Sequence, residues 1–338
     1  MPARDADGYL RIVDPGLMPF PKDVITLRVI ITNGGAMSGA ASVATKPSFE
    51  VRKIDGPVGV EIVGVDLSRD VDDETFNAIA EVYNQNSVVV IRNQNLTPAQ
   101  HVAFSRRFGD LEIHVLKQYL LPEHPEILVL SNIVDGQGKL IGLADGGRVC
   151  VWHTDMSYLE KPPRGSMLYA VEVPVKDGKP LGDTLFADTA AAYEALSPEM
   201  KKQLTGLKAI HRMTKGYDSA DKKSAAARLA YTEEQRKENP ERAHPIIRTH
   251  PGSGRKCLYV SRLCCVGIEG MPDDEAEALL EMLYEHCTRP EFVYRHRWRK
   301  GDLVMWDNCA AQHLATMDYA LPLRRRMHRT TLAGTAPY

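Results

Sequence analysis

The chain is poor in the features that would send it to a membrane, to nucleic acid or to an oxidising compartment. It has no run of about eighteen apolar residues, so no segment reads as a transmembrane helix. Its formal net charge is only −2 over 338 residues, without the positive excess expected of a nucleic-acid or anionic-membrane partner. The six cysteines are scattered, apart from the adjacent Cys264 and Cys265, and they fit neither a C-x-x-C metal pattern nor a disulfide framework. They read as small buried hydrophobes kept reduced in a cytoplasm. The start of the chain carries charges and prolines with no small-residue cleavage site, so it does not read as a secretory signal. A cytoplasmic location is expected.

What is present is enough for a sizeable core, with 43% hydrophobic residues in a chain of this length. Residues 1–46 are interrupted by Pro15, Pro19 and Pro21 and hold the linker-like stretch Gly34 to Gly39. They are expected to form a poorly ordered extension, with Met37 an alternative start. Residues 47–338 are expected to form a single domain.

Regular signals begin at Phe49. Asp72-Asp73 caps a helix carrying Phe76, Ile79, Ala80 and Tyr83 at helical spacing. Ser87 to Ile91 is a β-branched run that predicts a strand buried on both faces. Thr97-Pro98 starts a second helix, and Ser197-Pro198 a later one, each with an N-cap hydroxyl and proline in the first turn. Strands are predicted at Ile127–Leu130, Gly165–Val173, Pro245–His250, Leu258–Val260, Tyr294–Trp298 and Leu303–Trp306. Asp273-Asp274 is read as the cap of a helix whose apolar stripe is core packing. Lys215–His244 is polar and reads as a solvated insertion, with a functional lid as the other reading. Many short strands with a few helices beside them predict a mainly β fold of two packed sheets.

The chemistry is concentrated at Val151-Trp152-His153-Thr154-Asp155. Side chains at i and i+2 of an extended segment point the same way, so one imidazole and one carboxylate can reach a single metal ion. A second imidazole, from His313 near the far end, would complete a two-histidine, one-carboxylate set with open positions. That donor set suits non-heme Fe(II), whereas closed structural zinc sites take four ligands, often including cysteine.

The motifs WHTD, GDT, WDN-x4-H and RR-x-MHR-x-T occur in that order from residue 152 to residue 331. In this the chain resembles the TauD/TfdA family of Fe(II)- and 2-oxoglutarate-dependent dioxygenases, and the likeness runs from about Phe49 to the C-terminus. The resemblance implies a double-stranded β-helix, or jelly roll, with helices outside and the metal at one mouth. It implies His153, Asp155 and His313 as iron ligands, with O2 and 2-oxoglutarate taking the remaining positions. Thr184 and Arg325 would hold the far carboxylate of 2-oxoglutarate, with Arg324 a competitor because the loop Leu314–Leu323 is one residue longer than in the taurine enzyme. Arg329 would face the near carboxylate or the substrate's own anion, and His114 would contact substrate.

The implied reaction hydroxylates a small anionic substrate, a sulfonate, sulfate ester or aryloxyalkanoate, and releases succinate and CO2, with fragmentation of the product where the hydroxylated carbon bears a heteroatom. Asp155 favours hydroxylation over halogenation. Val149, Lys117 and Cys264 stand where the taurine site has an amide, a tyrosine and a phenylalanine, which argues against taurine itself. The stretches His250–Lys256 and Ile268–Met271 look more like the phenoxyalkanoate branch. Homo-oligomers, dimers or tetramers, are common in the family, and no nucleic acid or membrane partner is implied. Two other readings remain at this point: a zinc-dependent hydrolase with the same ligands, and a non-catalytic binding protein on the same fold.

Overall fold

The computed structural model describes residues 49–143, 151–213, 237 and 239–338, which fall within one compact unit, Ser38–Tyr338. The expected extension 1–46, most of the polar stretch from Lys215 and the residue Val149 lie outside the described residues. Eighteen strands and five α-helices among the described residues make the protein mostly β.

The larger sheet has eight strands. In spatial order they are β1 (Glu50–Lys53), β2 (Val60–Val63), β3 (Val88–Ile91), β16 (Leu303–Asp307), β6 (Gly165–Glu172), β18 (Arg326–Leu332), β5 (His124–Ser131) and β4 (Leu120–Leu121). The smaller sheet places β9 (Thr184–Asp188) between β15 (Val293–His296) and β17 (Ala311–Ala315). Three further pairings complete the strands: β10 (Lys208–His211) lies between β11 (Arg242–Pro245) and β14 (Cys265–Ile268), β12 (Ile247–Thr249) pairs with β13 (Lys256–Leu258), and β7 (Val175–Lys176) with β8 (Lys179–Pro180).

β3 shows why a β-branched run marks the middle of a layered fold. Val89 and Ile91 pack with Ile79, Tyr83 and Phe104, residues of α1 (Asp73–Gln85) and α2 (Pro98–Arg106). Val88 and Val90 point the other way, to Trp306, Met327 and, from the smaller sheet, Phe186 and Tyr294. Helices thus cover one face of the larger sheet and the smaller sheet covers the other. Both helices start where the sequence says. Asp72 accepts from the Thr75 amide, and Thr97 and Gln100 form a reciprocal capping box.

A third core joins α3 (Thr189–Glu194), α4 (Pro198–Leu204) and α5 (Asp273–Cys287) to β12, β13 and β14 through Ala192, Leu204, Ile247, Leu258, Ile268 and Leu280. Here the sequence reading needs corrections. The N-cap of α5 is Pro272, with no side-chain bond, and Asp273 is already helical. The expected strand Pro245–His250 is split at Ile246 into β11 and β12, and β11 takes in His244, which the reading left in the polar stretch. No helix among the described residues is long and apolar enough to cross a membrane.

Buried neutral histidines make one expected result specific to this core. Burial pushes His101 down to about 3 and His328 down to about 4. The unfolded chain takes up these protons below about pH 6.5 while the folded chain does not, so stability falls as pH drops from about 6.5 towards 4. Asp155 and Asp307 are held well below the usual carboxylate range and stay ionised across that window. Denaturant unfolding at pH 5 should show a loss of about 2 kcal/mol per histidine relative to pH 7.5, and His101→Gln should remove part of it.

Candidate active site

His153 and His313 approach through their backbones. The His153 amide donates to the His313 carbonyl at 3.1 Å, and the His313 amide donates back at 2.8 Å. The Thr154 hydroxyl donates to the Ala311 carbonyl at 3.1 Å, fastening the same segment to β17. The WHTD segment is therefore an isolated bridge followed by a turn, with Met156 at φ 45°, and not the regular strand that i, i+2 geometry suggests. His313 lies in β17 of the smaller sheet, across a turn from β16. That turn is fixed by Asp307, whose carboxylate accepts from Arg164 Nε at 3.0 Å and from His250 Nε2 at 2.8 Å.

The three side chains converge. His153 Nε2 lies 3.8 Å and His313 Nε2 3.9 Å from Asp155 Oδ1, and the candidate ligand atoms all lie within 4.8 Å of one another. His153 Nδ1 is 3.0 Å from the Val151 carbonyl, to which it donates as Nδ1–H, leaving Nε2 free for a metal. Burial lowers the pKa of His153 and takes His313 down to about 3, keeping both imidazoles neutral. Burial alone would raise the Asp155 pKa, but the Arg329 guanidinium, with the Ser166 hydrogen bond, outweighs it and holds the carboxylate ionised. Two neutral nitrogens and one carboxylate oxygen match the facial donor set for Fe(II).

A second cluster, His250, Asp307 and Cys309, also has metal-ligand spacing. His250 Nδ1 accepts from the Gly252 and Ser253 amides at 3.1 and 2.8 Å, and its Nε2 serves Asp307. Burial raises the Cys309 thiol well above its ordinary value. These atoms are committed to fixing the turn.

Around the first cluster, Arg329 of β18 places Nη1 3.2 Å from both Asp155 oxygens, while its buried Nε has no partner. Ser166 of β6 donates to Asp155 Oδ2 at 3.0 Å. His114 Nδ1 accepts from the Leu116 amide at 3.2 Å, which makes Nε2–H its donor. Burial, Arg329 and Asp155 together set the His114 pKa at about 4, with burial the largest effect, so it is neutral near pH 7.

Thr184 begins β9 and is buried. Its Oγ accepts from Trp298 Nε1 at 3.0 Å, so its own proton remains to be donated to a carboxylate. Arg325 is 2% exposed, and its backbone is pinned by Asn132 and Ser131 at 2.8 and 2.9 Å. Its side chain packs beside Gly182, where a Cβ would stand 3.1 Å from Arg325 Cδ and 2.8 Å from the Tyr319 ring. A glycine at φ +73° leaves room for both. Arg324 points outward, 55% exposed in an ion pair with Glu172. Of the two candidate arginines, Arg325 is the buried one.

Of the remaining sequence candidates, Lys117 is exposed at the start of a short 3-10 turn. Cys264 is buried before β14, its amide donating to Ser261 and its carbonyl accepting from Arg212. Sequence reasoning missed Ser166 and Trp298. A buried serine opposite Trp306 in the β6–β16 register and a tryptophan two residues past a strand are signals only once the pairing is known.

Residues 50–331 match the family described as Taurine catabolism dioxygenase TauD, TfdA family. The chain is 38% identical over 261 residues to the alpha-ketoglutarate-dependent 2,4-dichlorophenoxyacetate dioxygenase of Burkholderia sp. (strain RASC), covering 74% of this chain and 83% of that protein. It is 34% identical over 311 residues to the alpha-ketoglutarate-dependent sulfate ester dioxygenase of Pseudomonas putida, covering 89% and 95%. Among solved structures, a taurine dioxygenase from Burkholderia xenovorans superposes with TM-score 0.70 at 34% identity, covering 86% of this chain and 91% of that one. AAD-2, solved with Mn(II) and N-oxalylglycine, gives TM-score 0.70 at 30% identity, covering 86% and 98%.

Proposed function

The chain belongs to the TauD/TfdA family and is an Fe(II)- and 2-oxoglutarate-dependent dioxygenase, and from that premise we propose a division of labour among its residues and a class of substrate. His153, Asp155 and His313 hold Fe(II), and Thr184 and Arg325 hold the far carboxylate of 2-oxoglutarate. The stacked sheets are read as the two halves of a jelly roll with this set at one end. When bound, Fe(II) with 2-oxoglutarate and O2 supplies the oxidation: one oxygen atom enters a substrate C–H bond, the other enters succinate, and CO2 leaves.

The chain's own groups do the rest. Arg329 balances Asp155 and directs its unpartnered Nε–H at an anion, and neutral His114 adds an Nε2–H. A charge-assisted contact from a buried guanidinium favours a carboxylate, sulfonate or sulfate. The substrate's body is apolar in this reading, because Ile113 and Val115, on either side of His114, are 46% and 52% exposed. Relatives that act on 2,4-dichlorophenoxyacetate and on (S)-phenoxypropionate support an aryloxyalkanoate. The sulfate ester relative carries the second reading. The observation that bears most weight is Arg329, buried beside Asp155 with one donor unused.

The test is substrate-dependent succinate release, with 2-oxoglutarate and Fe(II), from an aryloxyacetate, an alkyl sulfate and taurine. An aryloxyacetate should give the highest kcat/KM, with a phenol as second product. A preference for the alkyl sulfate would move the assignment to sulfate esters. Metal-dependent hydrolysis without consumption of 2-oxoglutarate would overturn the assignment of residues as well as that of substrate.

A further inference from the structure

Arg248, the middle residue of β12, is a buried cation that the dioxygenase site does not use. It is 1% exposed, takes part in no ion pair among the described residues, and its Nε and Nη1 are buried without a hydrogen-bond partner. Its guanidinium stands 4.8 Å from the centre of the Tyr259 ring. Buried charges are paired or give up their charge, and a guanidinium cannot give up its proton. A ring face attracts a cation but supplies no counter-charge.

Among the described residues no carboxylate pairs with it: Asp188, which acts on the neighbouring Cys257, is engaged by the Ala190 and Ala191 amides. His244, Cys257, Tyr259 and Cys309 all feel Arg248. Burial nevertheless keeps His244 unprotonated, takes the Cys257 thiol up to about 12 and raises Tyr259 and Cys309 further above their ordinary ranges. The Asp307 carboxylate is already engaged by His250 and Arg164. What does stand beside the cation is a neutral polar group without a partner. The Tyr259 hydroxyl is buried and unbonded. Arg248 and Cys257 are register partners, so they share one face of the β12–β13 ribbon, and Cys257 packs on Ala310.

We propose that Arg248, with the Tyr259 hydroxyl as a neutral donor, holds a buried monovalent inorganic anion of halide size. One guanidinium balances one negative charge, and Arg255, which also acts on Cys257, donates its Nε to the Ser253 hydroxyl. The site lies on the Cys257 face of the β12–β13 ribbon, and its existence does not depend on which substrate the enzyme oxidises.

The proposal is tested on the metal-free protein, dialysed into gluconate and then measured in chloride or gluconate at equal ionic strength. A ligand that binds only the folded state raises the unfolding temperature. Wild type should gain several degrees in chloride, on the order of 2 to 5 °C, and Arg248→Met should gain nothing. Equal midpoints for wild type in both salts, or an unchanged chloride gain in Arg248→Met, would overturn it. Should the variant not fold, crystals of wild type grown in bromide decide: an anomalous peak in contact with the Arg248 guanidinium is expected, and ordered water there without a peak refutes the site.

Discussion

Replacing Arg325 by methionine is expected to raise the KM for 2-oxoglutarate by about 30-fold or more, since truncating one partner of a buried charge pair costs about 2–5 kcal/mol. Arg325 is 2% exposed, and a Cβ at Gly182 would stand 3.1 Å from its side chain, so the guanidinium faces little water and a carboxylate beside it is attracted at low dielectric. Lysine should restore only part of the loss, because an ammonium cannot make the two parallel bonds of the planar fork. Arg324→Met should leave KM unchanged, as its exposed pair with Glu172 is worth at most about 1 kcal/mol. Succinate release against 2-oxoglutarate concentration measures all three. Equal KM increases in the Arg324 and Arg325 variants would remove the assignment.

The second large effect separates two jobs done by one carboxylate. His313→Ala and Asp155→Ala should each lose stoichiometric iron and more than about 100-fold in kcat/KM, because loss of a mere outer partner of a ligand already costs about 10–100-fold. They should differ without metal. Asp155 also neutralises Arg329, which is 9% exposed with Nη1 3.2 Å from both carboxylate oxygens. Removing Asp155 leaves that charge buried and alone, a cost of about 3–5 kcal/mol, whereas alanine at 313 keeps the backbone bonds to His153. Denaturant unfolding of the apo-proteins should therefore show Asp155→Ala well below wild type, and His313→Ala closer to it. If the two fall together, Asp155 is a ligand only.

The parts of this molecule legible in sequence are those whose cause is local. Asp72, Thr97 and Ser197 cap helices by accepting from amides three residues away, and the run Val88–Ile91 is buried on both sides because four consecutive apolar β-branched residues have no solvent face to offer. β14 escaped, being four residues long with Gly267 inside it, and so did β17, which carries Gln312 and His313 where an apolar alternation would be sought. The pairing of β18 between β6 and β5 is set by contacts between distant segments and leaves no local trace. The candidate triad, whose side chains the fold brings together, could be picked out because its residue types and motifs are distinctive. The groups that steady it, Ser166 on Asp155 and Trp298 on Thr184, are common residues made meaningful only by sheet register.

The paired backbone bonds between His153 and His313 bear on where the free energy of metal capture goes. In a site assembled by the ion, loop-closure entropy is charged against affinity, and it grows with the length of chain between ligands. Here the two imidazoles are brought together by the same amide bonds that join the WHTD segment to the smaller sheet, so folding has met that cost before any ion arrives. Iron need not act as a staple. A chelator should strip it and leave the far-ultraviolet circular dichroism of the protein essentially unchanged, and the emptied site should reload without a refolding lag.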